Sequence, residues 1–343
     1  MIDGLLDSGL LPDTVVRAGI RTIVRARLRE QAAGGVDAQS ERFTTLLGTL
    51  RTAPIAVAVD AANRQHYEMP AEFFVHTLGP QLKYSAAWWP SGVAALADAE
   101  LKMLELTAER AQIEDGHTVL DLGCGWGSLA LHLAGRLPRS RIVAVSNSTA
   151  QRAFITDRAR AEGLTNLSVV TADVNQFGPD QRFDRIVSVE MLEHVRNHGA
   201  IFRRIADWLM PDGRFFAHVF AHRRFAYLYE PDGDANWMAR HFFTGGMMPS
   251  DDLFLHLQQD LVVEQHWRLG GEHYQRTAEA WLANFDRNRE TLDAVLTRVH
   301  GASDVARWRS RWRTFFMACA EMFGYNGGQE WMISHFRFAK GRA

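Results

Sequence analysis

Residues 119–134 read VLDLGCGWGSLALHLA and decide the fold. The apolar run at the start ends in three glycines, Gly123, Gly125 and Gly127, after which apolar residues return at helical spacing. This pattern predicts a buried strand, a tight turn and a helix. The backbone N–H groups of such a turn, together with the helix N-terminus, suit a polar or anionic ligand that approaches the backbone closely. A tight connection without a ligand is the alternative.

Strands and helices alternate after this turn. We predict strands over 117–122, 141–146, 166–172, 183–190 and 213–222, with helices to about residue 137 and over 149–163 and 199–209. The alternation predicts an α/β fold with a doubly wound, mostly parallel sheet. A stretch rich in aromatic residues, Gly and Met, 223–256, breaks the rhythm. We predict a strand over 261–267, helix over 277–325 and a last strand over 331–340.

These elements suggest a division of the chain. Residues 1–110 are predicted to be an N-terminal helical segment that closes a cofactor site, with residues 51–74 as a connection. Residues 111–343 are predicted to form the core, with a helical substrate cap inserted at about 223–325. This insertion follows the fifth strand, so it lies beyond the carboxyl end of the sheet, where open α/β folds bind ligands.

Composition limits the function classes. The 343 residues are 47% hydrophobic, and 38 Lys and Arg nearly balance 40 Asp and Glu, so no overall field favours nucleic acid. Only two cysteines occur and no apolar run is long enough for a membrane span, so we expect a cytoplasmic protein without transmembrane segments. The helix predicted at 15–29 is amphipathic; peripheral membrane contact is the alternative to ordinary surface packing. A homodimer is left open.

The glycine turn fits two ligand classes. Dinucleotide enzymes carry G-x-G-x-x-G, but Ser128 stands where the third glycine is required. S-adenosylmethionine has no phosphate, so the turn needs to admit only its methionine part and ribose. Asp121 lies just before the turn and can accept a hydrogen bond from the ligand's ammonium group.

The stretch VEMLEHV carries a second functional signal. Glu190, Glu193 and His194 stand at i, i+3 and i+4, so they share one face if the segment is helical. Glu193 and His194 are predicted to act as base and proton relay, and Glu190 to anchor a cationic amine. If His194 is the base, kcat should rise through pH ~6.5, with the midpoint raised by neighbouring carboxylates. The second His of a zinc pairing is absent, so no metal is predicted.

Several stretches resemble a known family. VLDLGCGWG is similar to the S-adenosylmethionine turn of class I methyltransferases. The stretches AANRQHYEMPAEFF, LGPQLKYS, VEMLEH, FFTGGMMPS, EHYQRT, WRTFF and EMFGYNGGQEWM resemble the cyclopropane-fatty-acyl-phospholipid synthase superfamily, and within it the coclaurine N-methyltransferases. The resemblance runs from about residue 60 to the C-terminus. It implies methyl transfer from S-adenosylmethionine, with S-adenosylhomocysteine as product.

The resemblance also implies site residues. Tyr84 and Ser85 would close over the methionine carboxylate. Neutral polar residues would hold the ribose side, and three residues after the third strand would hold the adenine; these are Ser146, Asn147 and Gln151, and Ala172, Asp173 and Val174. Trp312 and Phe315 would line the substrate pocket, with Phe242 and Phe243 as weaker candidates. His218 and Tyr274 are pocket positions that both branches of the superfamily share.

Two positions separate the branches. Glu190 and Thr244 match the amine enzymes, whereas the lipid enzymes carry glycine and proline there, so the resemblance favours a small, aromatic amine as methyl acceptor. Cyclopropanation or methylation of an unsaturated acyl phospholipid is one alternative, and a non-catalytic S-adenosylmethionine-binding protein is another. In the lipid enzymes Glu193, His218 and Tyr274 are tied to a bicarbonate. Ala86 replaces the usual cysteine of that site, which argues against bicarbonate here, although backbone groups can contribute.

Overall fold

The computed structural model describes residues 2–57, 69–231 and 236–341. The AANRQHYE stretch at 61–68 therefore lies outside the described residues. The N-terminal segment contains helices α1 (Ile2–Asp7), α2 (Asp13–Ala32), α3 (Gly35–Thr52), α4 (Ala71–Thr77) and α5 (Leu96–Arg110). Helix α4 lies within the predicted connection 51–74. It forms because Phe73 packs its ring on Phe285 and Trp312 of the C-terminal helices, while Phe74 packs on Tyr84 and Trp126. These are tertiary contacts that the local pattern does not contain.

The core follows the predicted alternation. Its elements are β1 (Thr118–Leu122), α6 (Ser128–Arg136), β2 (Arg141–Ser146), α7 (Thr149–Ala161), β3 (Leu167–Thr171), β4 (Phe183–Val189), α8 (His198–Trp208) and β5 (Leu209–His222). The C-terminal part adds β6 (Tyr227–Leu228), α9 (Trp237–His241), β7 (Met247–Met248), β8 (Leu261–Leu269), α10 (Glu272–Arg287), α11 (Arg289–His300), α12 (Val305–Phe323) and β9 (Trp331–Lys340).

Seven strands form one sheet in the order β3-β2-β1-β4-β5-β9-β8. The first five are parallel, and β9 and β8 are added antiparallel, so the predicted doubly wound, mostly parallel sheet is confirmed. The order reverses beside β1, which places the glycine turn at a topological switch point.

The prediction of continuous helix over 277–325 is wrong. Three helices occupy this region, because the chain turns at Asn288 and again at Gly301, whose φ of +85° does not continue a helix. The three helices pack against one another. Helix α12 carries most of the buried rings that face α4 and α10.

The N-terminal helices are bound to this cap by ion pairs. Arg313 of α12 pairs with Asp13 and Asp286, and Arg17 of α2 pairs with Glu279 and Glu321. Helix α2 also buries Val16 and Val24, which favours the surface-helix interpretation of its amphipathic pattern. Within the described ranges, no helix has the length and apolar character needed to cross a membrane.

Candidate active site

The glycine turn between β1 and α6 uses left-handed backbone at all three glycines. Gly123, Gly125 and Gly127 have φ values of +87°, +52° and +82°. A Cβ at Gly123 would strike Met191, and one at Gly127 would strike Ile155. A Cβ at Gly125 would meet no protein atom within 4 Å, because it would point into open space. The turn therefore presents bare backbone to a cavity at Gly125.

Two cavities meet at this turn. The β2-side cavity is lined by Ala56, Ser146, Asn147, Ala172, Asp173, Val174, Met191, His194, Thr244 and Gly245, among others. The Lys83-side cavity is lined by Lys83, Tyr84, Ser85, Asp121, Cys124, Trp126 and Ser128, among others. Four residues line both cavities: Gly123, Gly125, Gln151 and Glu190. Eleven of the twelve residues predicted for the cofactor line these two cavities; the other, Gly127, belongs to the turn but faces Ile155 and lines neither cavity.

Polar groups in the two cavities lack protein partners. The Oδ2 atom of Asp121 and the Nε2 atom of Gln151 are buried without a hydrogen bond to any described residue. Ser146 donates its hydroxyl hydrogen to Oε1 of Gln151, which fixes the amide so that Nε2 remains free for a ligand. Buried polar atoms are costly unless they find a partner, so this wall suits a ligand with polar groups of its own.

Lys83 is a residue that the sequence reasoning did not select, although it precedes Tyr84. Its ammonium is buried and donates to Ser85 Oγ and to the carbonyl of Ala86 at 2.8 Å. Burial lowers the pKa of Lys83 to about 8, while the nearby Glu190 and Glu100 oppose that shift. Burial also raises the pKa of Asp121 to about 7. Both groups would change protonation when a charged ligand enters.

The segment is not helical at Glu190, so the condition under which Glu190, Glu193 and His194 would share one face is not met. Glu190 follows β4 in left-handed backbone with φ +48°, and only Leu192–His194 form a short 3₁₀ turn. The backbone N–H of Glu190 donates to the carbonyl of His218 at 2.8 Å, so pairing with β5 continues through residue 190 and prevents a helix there. Glu190 and His194 nevertheless both line the β2-side cavity.

The Glu190 carboxylate is held by three donors from three elements. Oε1 accepts from the backbone N–H of Ala86 at 2.8 Å and lies 3.2 Å from Nε2 of His218. Oε2 accepts from the Tyr274 hydroxyl at 2.8 Å. His218 and Tyr274 line neither of these two cavities and contact the site through Glu190; their place in the substrate pocket stays a prediction.

Glu193 and His194 occupy different environments. Glu193 is fully buried, and its Oε1 accepts from the Phe220 backbone N–H at 2.7 Å. Burial and the adjacent Glu190 hold the pKa of Glu193 well above its usual range. Burial lowers the pKa of His194 to about 4, and the opposing effect of Glu190 is smaller. The expectation of a raised His194 midpoint is therefore wrong, because desolvation outweighs the attraction of the carboxylates.

The aromatic candidates divide into two groups. Phe243 lies beside the site, with its ring centroid 4.9 Å from that of His194, and it also contacts Tyr229 and Phe220. Three others pack together in the core and line neither cavity; these are Phe242, Trp312 and Phe315. The 3.6-residue spacing of Trp312 and Phe315 reflects burial of one face of α12 rather than a pocket wall.

The residues present do not fit a bicarbonate. His218 and Tyr274 direct their hydrogen-bonding groups at Glu190, and the backbone N–H of Phe220 is taken by Glu193. The Glu190 carboxylate is itself a planar anion on these donors, so a second anion would meet its charge. No step of the chemistry is therefore assigned to bicarbonate.

Comparison with known proteins agrees with this geometry. Residues 58–331 match the family described as Mycolic acid cyclopropane synthetase. The (S)-coclaurine N-methyltransferase of Thalictrum flavum subsp. glaucum is 38% identical over 98% of this chain and 94% of its own length. A crystal structure of coclaurine N-methyltransferase, bound to N-methylheliamine and S-adenosylhomocysteine, superposes with a TM-score of 0.95 at 36% identity, covering 99% of both chains. The cyclopropane synthase MmaA2 of Mycobacterium tuberculosis shares the fold, with a TM-score of 0.70 at 21% identity over 84% of this chain and 100% of its own.

Proposed function

Because this chain belongs to the mycolic acid cyclopropane synthetase family and is an S-adenosylmethionine-dependent N-methyltransferase, we propose that its methyl acceptor is a small amine that carries an aromatic ring. The observation that carries the proposal is the position of Glu190 at the junction of the two cavities. A buried carboxylate at that junction attracts a cationic amine to the place where the cofactor's reactive end would lie.

The two cavities support a division of the cofactor between them. Ser146, Asn147 and Gln151 would hold the ribose, with Ala172, Asp173 and Val174 beside the adenine. Asp121 would accept from the ammonium group, and Tyr84 and Ser85 would cover the carboxylate. S-adenosylmethionine supplies an electrophilic methyl carbon on its sulfonium. Residues 82–85 belong to the segment 1–110 and line the Lys83-side cavity, which supports a closing role for that segment.

His194 is suited to remove the proton. With its pKa near 4, the imidazole is neutral throughout the working pH range, which is the form that accepts a proton, and it lines the β2-side cavity. His194 would first take a proton from the bound ammonium, which gives the amine nitrogen a lone pair. That lone pair would form the bond to the methyl carbon, while the electron pair of the broken C–S bond stays on sulfur. Glu190, whose carboxylate already opposes the lowering of the His194 pKa, would stabilise the imidazolium that results. Help of this kind accelerates proton transfer by about 10²–10⁴-fold.

The aromatic group around His194 supports an aromatic acceptor. Phe243 contacts the His194 ring and also packs against Phe220 and Tyr229, so an aromatic group adjoins His194. Rings at this place can hold the apolar body of the substrate, and a ring face can add about 0.5–2 kcal/mol of cation–π attraction for a desolvated ammonium.

A substrate screen tests the proposal. The purified enzyme and labelled S-adenosylmethionine are incubated with aromatic amines, aliphatic amines and vesicles of unsaturated phospholipid, and S-adenosylhomocysteine release is measured. We expect turnover with a subset of aromatic amines and label on nitrogen in the product. Turnover confined to the vesicles would overturn the proposal in favour of acyl-chain modification. Turnover of aliphatic amines alone would overturn the aromatic part.

A further inference from the structure

A line of side chains crosses the sheet from Glu190 to the far side of β9. The Nε2 atom of His218 lies 3.2 Å from Glu190 Oε1, and His218 Nδ1 lies 3.0 Å from Nε2 of His335. His335 Nδ1 lies 2.8 Å from an Nη1 atom of Arg110 at the end of α5. Both histidines are fully buried.

The sheet register produces this line. His218 of β5 stands directly opposite His335 of β9, and Val189, the residue before Glu190, is the β4 partner of His218. Trp267 of β8 is the next partner of His335, and its ring lies 5.0 Å from the Arg110 guanidinium. The register thus sets His218 and His335 side by side and places Glu190 next to them, while Arg110 reaches His335 from the end of α5.

The direction of each hydrogen bond follows from Arg110. A guanidinium only donates, so Nδ1 of His335 must accept. A neutral His335 then carries its hydrogen on Nε2 and donates to Nδ1 of His218. His218 must therefore carry its own hydrogen on Nε2, where it points at Glu190. Both rings are neutral, because burial and the nearby cations keep the pKa of His218 and of His335 well below the usual range.

We propose that Arg110 and His335 are positioning residues of the methyltransferase: Arg110 fixes the tautomers of His335 and His218 so that a ring N–H always faces the Glu190 carboxylate. This inference deepens the proposed function, since it supposes that ionised Glu190 receives the amine. Without Arg110, Nδ1 of His335 can carry the ring hydrogen. The hydrogen bond between His335 and His218 can then reverse its direction. A lone pair of His218 would then face Glu190, which would retain a proton to a higher pH.

Other titratable groups face Glu190 and His335, and substitution of Arg110 leaves all of them in place. Glu190 is also faced by several such groups: Lys83, Glu193, His194, Tyr274 and Cys319. His335 is also faced by Lys83 and His266. A difference that appears only when Arg110 is altered therefore arises from the hydrogen bonds that link Arg110, His335, His218 and Glu190.

Arg337 provides a matched control. Its guanidinium lies 5.6 Å from the same Trp267 ring and donates to the Arg110 carbonyl at 3.1 Å, but it does not bond to His335. Arg110→Met and Arg337→Met each remove one cation and one ring contact from the same place. Only Arg110→Met removes the donor to His335.

The first measurement is the ¹⁵N–¹H correlation spectrum of the histidine rings in the full-length protein, assigned with His335→Gln. We expect Nε2–H for both His218 and His335 in the wild type and in Arg337→Met, and Nδ1–H at His335 in Arg110→Met. This readout is independent of the methyl acceptor. Nδ1–H at His335 in the wild type, or unchanged tautomers in Arg110→Met, would overturn the proposal even if the enzyme methylates amines.

The second measurement is the pH dependence of kcat/KM with an amine found in the screen. Arg110→Met should lose about three- to tenfold at pH 6 and recover toward pH 9, corresponding to a rise of about 0.5–1 unit in the acid midpoint. Arg337→Met should keep the wild-type midpoint. A uniform loss at all pH values in Arg110→Met would indicate a structural role only and would overturn the positioning role.

A double variant tests whether the effect of Arg110 passes through His335. The amide of His335→Gln can donate from Nε2 whatever Arg110 does, so His335→Gln should keep the wild-type midpoint. Adding Arg110→Met to His335→Gln should then produce no further shift. If Arg110→Met shifted the acid midpoint equally with and without His335→Gln, Arg110 would not act through His335, and the proposal would be overturned.

Discussion

Tyr274 donates its hydroxyl hydrogen to Oε2 of Glu190 at 2.8 Å, and its ring stacks on Phe323 with centroids 4.2 Å apart. The cap helix α10 thus supports a carboxylate that belongs to the methyltransferase core. Glu190 borders both cavities. A movement of α10 would therefore displace the Glu190 carboxylate at the junction where the two reactants are proposed to meet.

Gly125→Val should abolish S-adenosylmethionine binding in a chain that still folds. The new side chain points into the cavity rather than into protein atoms, so the loss of affinity should exceed about a hundredfold, while left-handed strain costs about 1–2 kcal/mol. Gly163→Val is the control: Gly163 is exposed, has φ +68° and offers equal space. Calorimetric titration and thermal unfolding check both variants. Unchanged affinity in Gly125→Val would show that the glycine turn does not contact the cofactor.

Asp121 should make cofactor affinity depend on pH. Its pKa is about 7 in the free protein, and a bound ammonium would lower it, so binding prefers the ionised form. Affinity should therefore decrease as pH falls below 7, by up to about tenfold per unit. Asp121→Asn should bind more weakly and lose this slope. Calorimetric titrations from pH 5.5 to 8 measure this pH dependence of cofactor affinity. An identical slope in Asp121→Asn would show that another group takes up the proton.

Glu190→Gly should lower kcat/KM for the amine by about a hundredfold or more and change cofactor affinity by less than about threefold. The substitution leaves three donors around a space the size of a carboxylate. Formate or bicarbonate should therefore restore part of the activity.

Glu190→Gln is the matched control, because it removes the charge but fills the space and should resist rescue. Wild-type turnover should be insensitive to bicarbonate. Full activity in Glu190→Gly without any added anion would contradict the anchoring role.

His194→Ala should lower kcat by about 10²–10⁴-fold without moving the acid limb of the pH dependence between pH 5.5 and 9. The reason is that the His194 pKa of about 4 lies below this range, so any limb within it belongs to other groups or to the amine. Single-turnover methyl transfer measures the chemical step for both proteins. Loss of the limb in His194→Ala would show that His194 titrates near neutrality after all.

The sheet could be predicted because its strands are short buried runs with clear ends. The predicted bounds 141–146 and 331–340 agree with β2 and β9 at both ends. The antiparallel direction of β8 and β9 could not be predicted, because apolar periodicity carries no sign of strand direction. The pairing of His218 with His335 depends in turn on that direction and on the register between distant segments.

The site was only partly predictable for a related reason. The cofactor residues follow the ends of strands, so the strand pattern locates them. The segment after β4 has helical spacing, yet its hydrogen bond to His218 prevents a helix at Glu190. Burial, which sets the pKa of His194, is a property of the assembled fold. Lys83 offered only its position beside Tyr84 as a signal.

The backbone at residue 190 also bears on how this enzyme can be engineered. Its φ of +48° is one that glycine adopts freely and glutamate adopts at a cost of about 1–2 kcal/mol. The same side chain also places a carboxylate where only 7% of it is exposed to solvent. A directed-evolution campaign that ranked variants only by melting temperature would therefore tend to collect glycine at position 190. It would discard amine turnover in the same step, so thermostability and activity must be selected together at this position.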